Sequence, residues 1–173
     1  MNHTEKRLII GVDARFYGPL GKGLGRYTQE VVDNVIAINA EKPIDYVIFL
    51  SPENIDEFIC PNSHVKKELI KSRWYTLAEQ FEVPYKWRKA KIDLMHFSHF
   101  NVPLIKAGAY VVTIHDLILT KFPTSRASTL PSFIYWLKDR AYRIIISSAV
   151  RQAKKVITVS EFTKNDLIEQ FKV

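Results

Sequence analysis

The chain has 173 residues, 47% hydrophobic and 25% charged, which suits one domain with a sizeable core and excludes a disordered or fibrous class. A lone cysteine, Cys60, excludes an internal disulfide, and no apolar run approaches the roughly 20 residues of a membrane span. The formal net charge of +7 favours an anionic partner: phosphate, an anionic membrane surface or nucleic acid.

Residues 1–7 lack the apolar core of a signal peptide, so a cytoplasmic location is expected. Residues 8–12 are a short apolar run of the kind buried on both faces of a parallel sheet. A glycine-rich loop follows, and then Leu24, Tyr27, Val31, Val35 and Ile38 mark one face of a predicted helix stopped by Asn39 and Pro43. Residues 46–50 read as a second strand, 53–59 as a short helix and 65–70 as a third strand whose lysines place it near an edge. A helix over 74–91, interrupted near Pro84, leads to a fourth strand at 93–96. A fifth follows at 109–114. A long helix over 128–153 carries Pro131 in its first turn. The last strand spans 155–159, and Ser160 caps a final helix with Glu161 near its positive end. Strands alternating with helices predict an α/β fold with a doubly wound parallel sheet, one Rossmann-like domain over residues 1–173.

In such sheets, ligands sit beyond the carboxyl ends of the strands. Three polar clusters take those places. The first is the loop Gly18-Pro-Leu-Gly21-Lys22-Gly23-Leu-Gly25, whose backbone amides at a helix start suit phosphate or diphosphate, or whose glycines serve only close packing. It matches neither G-x-G-x-x-G nor a P-loop. The second is the stretch from His96 to Asn101. The third is His115-Asp116, either an imidazole beside a carboxylate poised for a ligand, or a histidine satisfying a loop carbonyl while Asp116 caps a turn. His96-x-x-His99 is not a standard metal spacing and nothing completes it, so no metal is expected. The segment Tyr85-Lys-Trp87-Arg88-Lys89 mixes aromatic and basic residues, as a membrane-surface contact would; a solvated helix face with its aromatics turned inward has the same composition. No nucleic-acid reading motif accompanies the charge.

Gly11-Val-Asp-Ala-Arg-Phe through Gly21-Lys-Gly-Leu-Gly-Arg-Tyr27, His96-Phe-Ser-His-Phe-Asn-Val-Pro103, Thr113-Ile-His-Asp-Leu117 and Val159-Ser-Glu-Phe-Thr-Lys-Asn-Asp-Leu167 occur in order. Together they resemble the N-terminal half of a family 4 (group 1) glycosyltransferase with the GT-B fold. The resemblance implies an acceptor-side domain that works with a C-terminal donor-binding domain, on the same or a separate chain. It implies a nucleoside-diphosphate sugar as donor, a glycan or lipid-linked acceptor, retention of anomeric configuration and no metal. It places Gly21, Lys22 and Gly23 at the donor diphosphate and His115 at the donor sugar, with Asp116 orienting the loop. His99 and Asn101 line the acceptor side. Family members are often peripheral membrane proteins, which implies contact at the inner face of the membrane through Trp87, Arg88 and Lys89.

Glu161 and Glu169 have the spacing of the family's E-x7-E element without its glycine-rich context, and the match is chance. Ser98 stands where the family pattern leads one to expect proline, so a looser turn is expected there. The donor-side elements are absent, so the chain alone is expected to be inactive, with a partly apolar cleft face open to self-association. A non-catalytic docking module on a Rossmann-like fold is the alternative. A nicotinamide oxidoreductase is weaker, because Leu50-Ser51-Pro52 stands where an acidic residue would end the second strand.

Overall fold

The computed structural model describes residues 7–118 and 132–173. Six strands, β1 (Leu8–Asp13), β2 (Ile44–Leu50), β3 (Val65–Leu69), β4 (Leu94–Phe97), β5 (Ala109–Ile114) and β6 (Lys155–Thr158), form one sheet. Every pairing is parallel, and the spatial order is β3-β2-β1-β4-β5-β6. The described helices are α1 (Lys22–Ile38), α2 (Leu77–Lys89), α3 (Ser132–Gln152) and α4 (Glu161–Phe171). The chain winds outward from β1 in both directions, so the crevice of this α/β, Rossmann-like fold lies at the carboxyl ends of β1 and β4. The onset expected at residue 128, and Pro131, lie outside the described residues.

Alternation along the central strands builds two cores. Tyr46, Ile48 and Leu50 of β2 face one side with Val12, Val32, Ile36 and Phe58. Val47 and Phe49 face the other with Trp87, Met95, Phe97, Tyr110, Ile146 and Leu167. Side chains that point alternately to opposite faces make β2 apolar throughout. β3 is an edge, and its Lys66 and Lys67 are exposed.

Three local expectations change. The buried face of α1 is Gly25, Thr28, Val32 and Ile36, one position on from the apolar stripe, while Ile38 is 77% exposed. Gly25 sets that rotation, because a Cβ there would strike the carbonyl oxygens of Phe16 and Gly18. Residues 53–57 form turns and 58–59 are irregular, instead of a helix. The buried Asn54 explains this: its Nδ2 donates to the carbonyls of Ala14 (3.1 Å) and Tyr17 (2.9 Å), and its Oδ1 accepts the Ser51 amide. Those bonds draw the segment against the loop after β1. Finally, α2 runs unbroken through a buried Pro84.

Candidate active site

Three loops meet at the carboxyl rim of the sheet through one residue. Ser98, after β4, donates its hydroxyl to the Asp13 carbonyl at the end of β1 (2.7 Å). The Ser98 carbonyl accepts from His115 Nε2 after β5 (2.9 Å). Ser98 is 2% exposed and ties the loops together, so the looser turn expected there is not found. A carbonyl can only accept, so His115 donates from Nε2, and its Nδ1 forms no hydrogen bond among the described residues. The Tyr27 ring stands edge-on to His115 at 4.7 Å and its hydroxyl meets Thr113 Oγ1 at 3.1 Å. Thr163, in the first turn of α4, donates to the His115 carbonyl (3.1 Å), and its own amide is capped by Ser160. Asp116 is exposed and caps a turn by accepting the Ile118 amide (3.0 Å). The loop-satisfying bonds of the simpler reading are therefore present, and His115 keeps one ring nitrogen for a ligand.

The glycine loop divides its labour. Gly18 takes φ +92°, and Pro19–Gly21 makes a 3-10 turn in which the Gly21 amide bonds the Gly18 carbonyl and the Lys22 amide bonds the Pro19 carbonyl. A Cβ on Gly21 would strike the Phe16 carbonyl. Gly21 and Gly25 are thus packing glycines, and the amides of Gly21 and Lys22 are spent inside the turn. Gly23 differs. It is exposed, with open space around its Cβ position, and its amide lies in the first turn of α1, where no intrahelical acceptor exists.

Behind the rim lies a charged cluster that the sequence does not announce. Arg15 grips Asp13 with two bonds, Nε to Oδ1 (2.8 Å) and Nη2 to Oδ2 (2.6 Å), and reaches Glu79 Oε1 (2.7 Å). All three side chains are almost wholly buried. Burial alone would lower the Arg15 pKa; the carboxylates of Asp13 and Glu79 outweigh it and hold it above its ordinary value. Burial raises the Glu79 pKa against the pull of Arg15 and Asn101. Glu79 is also the third helical residue after the capping Thr76, and its carboxylate accepts the Tyr75 amide (2.8 Å). The Arg15 guanidinium lies 3.8 Å from the Trp74 ring centroid, and Trp74 stacks on Phe16 at 3.9 Å. Only the T-x-x-E cap was a readable signal for Glu79; its partners are too distant in sequence.

The remaining expected residues separate. His99 lies against Phe100 and Phe16, its Nδ1 accepts the Asn101 amide (3.4 Å), and burial pushes its pKa down to about 4. Asn101 is 1% exposed and donates to both oxygens of Glu79 (2.8 and 2.9 Å), so it supports the charged cluster from behind the rim. His96 bonds Thr113 Oγ1 (2.9 Å), and burial pushes it to about 4 as well. Among the described residues, no three His, Cys, Asp or Glu side chains group to hold a metal ion.

The membrane contact expected at Trp87 is corrected. Trp87 is 1% exposed, its indole donates to the Ile92 carbonyl, and its ring packs edge-on to Phe97 and Tyr110. Arg88 and Lys89 are exposed, with Arg88 reaching the Lys106 carbonyl (3.1 Å). The apolar surface of α2 is instead Leu77, Phe81 and Tyr85, which are 82%, 66% and 62% exposed at four-residue spacing. No helix among the described residues is long and apolar enough to cross a membrane.

No curated protein matches the chain. The family model of glycosyltransferase family 4 matches residues 46–173, which runs from within β2 to the end of α4, takes in the Ser98 and His115 loops, and leaves the glycine loop before it. A Rossmann-like parallel sheet of this kind is what one half of a GT-B enzyme contains, and a glycosyltransferase-like role follows from the match. The chain belongs to glycosyltransferase family 4.

Proposed function

We propose that this chain is the acceptor-side half of a retaining glycosyltransferase. In this reading it moves a hexose, with mannose from GDP-mannose favoured, from a nucleoside-diphosphate sugar to a glycan or lipid-linked acceptor. The observation that carries the reading is the Ser98 clamp, which ties His115 to the end of β1, with Tyr27 of α1 packed edge-on to the same ring. The first-turn amide of Gly23 meets the diphosphate, with Lys22 adding charge and Gly21 shaping the turn. His115 Nδ1 accepts a hydroxyl of the donor sugar, Asp116 orients its loop, and His99 borders the acceptor. No metal is assigned to this domain. A C-terminal donor domain, in the same or a separate chain, supplies the opposing groups, because the leaving diphosphate needs stabilisation from both sides. The isolated chain therefore has negligible turnover.

A heteronuclear NMR titration with GDP-mannose and UDP-glucose tests the reading. Shifts confined to Gly23, Leu24 and His115 support it. Silence at those positions with both nucleotides refutes it, as does turnover by the chain alone.

The exposed stripe Leu77, Phe81 and Tyr85, ending at Arg88 and Lys89, favours one companion reading: peripheral attachment at the inner, cytoplasmic face of a membrane. A docking module without catalysis would keep this surface and lose the nucleotide response.

A further inference from the structure

A cavity of about 220 Å³ opens beside the glycine loop, beyond the carboxyl ends of β1, β2 and β3. Its walls include Arg15, Gly21, Glu53, Lys71, Ser72 and Arg73. Among the described residues, two of these side chains carry a buried polar atom without a hydrogen-bond partner, Arg15 Nη1 and Ser72 Oγ. A guanidinium nitrogen can only donate, so Arg15 Nη1 calls for an acceptor oxygen. Buried donors left unsatisfied are destabilising, and groups of this kind at a cavity wall mark where a ligand atom or a water belongs.

Charge narrows the ligand further. Arg15, Lys71 and Arg73 bring three cations to the wall and Glu53 one carboxylate. The carboxylates that offset Arg15, from Asp13 and Glu79, do not line the cavity. Among the described residues neither Lys71 nor Arg73 forms a salt bridge with a carboxylate, and both are exposed. The loop that carries them is fixed beforehand: Glu82 accepts the amides of Lys71 (3.0 Å) and Ser72 (2.7 Å), and Trp74 is held between Phe16 and Arg15. The site is therefore built without its ligand, so little ordering is left for binding to oppose.

We infer that this cavity binds an anionic oxygen group, a phosphate or a carboxylate, borne by the acceptor. Calling the ligand an acceptor rests on the glycosyltransferase reading; the anion site stands without it. Strands lie about 4.8 Å apart, so the cavity over β2 and β3 is roughly 10–20 Å from His115 over β5, on the other side of β1. The anion thus sits at a part of the acceptor remote from the attacking hydroxyl and holds that hydroxyl in register, a use of remote binding energy. The volume suits a headgroup and not a whole ligand.

The test is an NMR titration of the chain with inorganic phosphate, a hexose 1-phosphate, glucuronate and methyl glucoside, each repeated with the double variant Lys71→Ala, Arg73→Ala. The expected result is saturable shifts at Ser72, Arg73 and Gly21 with phosphate and none with methyl glucoside. Affinity should fall at least tenfold in the double variant, whose altered side chains are on the surface and whose spectrum elsewhere should not change. A stronger response to the hexose phosphate identifies a phosphoester as the ligand, and a stronger response to glucuronate a carboxylate. No saturable shift with any anion, or full affinity in the double variant, overturns the inference. GDP, read at Gly23, separates the two assignments: loss of GDP binding with phosphate binding intact refutes the donor site and leaves the cavity standing.

Discussion

Replacing Arg15 by leucine removes the one cation from a cluster that holds Asp13 and Glu79 out of water. The side chain makes charge-assisted bonds at 2.6, 2.7 and 2.8 Å, and its partners are 3% and 0% exposed. Breaking a buried ion pair by deleting one partner destabilises by about 3–5 kcal/mol, because an uncompensated charge stays behind. Glu79 limits the damage: burial already raises its pKa, so it takes up a proton once Arg15 is gone. We expect a loss of about 4 kcal/mol at pH 7, a fall in Tm of roughly 8–16 °C for a chain of this length. The loss should shrink at pH 5, where protonating Glu79 is easier. Urea and thermal unfolding followed by circular dichroism measure it. The decisive comparison is Arg15→Leu in an Asp13→Asn, Glu79→Gln background, where the same substitution should cost no more than about 1 kcal/mol. Equal losses in the two backgrounds would refute the electrostatic account and leave simple packing.

His96 and His99 are held near 4 by burial, against 6.5 when exposed, so below pH 6.5 the unfolded chain binds protons that the folded chain refuses. Stability is full well above that pH and declines as pH falls towards 4, by about 4 kcal/mol for the pair between pH 7 and 5, partly offset by Glu79; equal urea midpoints at pH 7 and 5 would contradict this. Ser98→Ala removes the bond to the Asp13 carbonyl and should cost about 1–2 kcal/mol, with a shift change at the His115 ring as its signature. Replacing Leu77, Phe81 and Tyr85 by serine should abolish sedimentation with anionic vesicles while changing stability little, whereas Trp87→Ala should cost about 3–5 kcal/mol. In the two-domain enzyme, His115→Ala should lower kcat at least a hundredfold with the fold intact, as checked by circular dichroism.

The strands were legible because a parallel sheet buries both faces, and runs such as those in β2 and β5 then read as continuous apolar stretches. Residues 109–114 were expected as a strand and are one. What failed, failed where a single side chain overrides pattern. Asn54 converts an expected helix into turns by bonding to the loop after β1, a contact across some forty positions. Gly25 rotates α1 by close approach, and a glycine carries no hydrophobicity for a periodicity argument to count. Trp87 and Tyr85 have similar character but sit two residues apart, so a helix turns one inward and the other outward. At the rim, His115 and the glycine loop were visible from their positions at strand ends. Asp13, Arg15, Glu79 and Asn101 were not visible as a cluster, because nothing in a sequence pairs residues 13 and 79.

The rim has two physical characters, and their contrast bears on mechanism. On the β1–β3 side the buried ion pairs are locked, Arg15 bonding both Asp13 and Glu79, and the two donors without a partner among the described residues, Arg15 Nη1 and Ser72 Oγ, belong to residues that line the cavity. On the β4–β5 side the clamp through Ser98 fixes position while leaving function open, since it uses only two backbone carbonyls, the Ser98 hydroxyl and the Nε2 proton of His115. The Gly23 amide, in the first turn of α1, has no intrahelical acceptor, and His115 Nδ1 forms no hydrogen bond among the described residues. A donor that faces water gives little stabilisation to a developing charge; the same donor covered by a second surface, in a lower dielectric, gives much more. On the proposed reading, the arrangement is rigid where an acceptor would be held and open where a second domain would close, and transfer would depend on that closure.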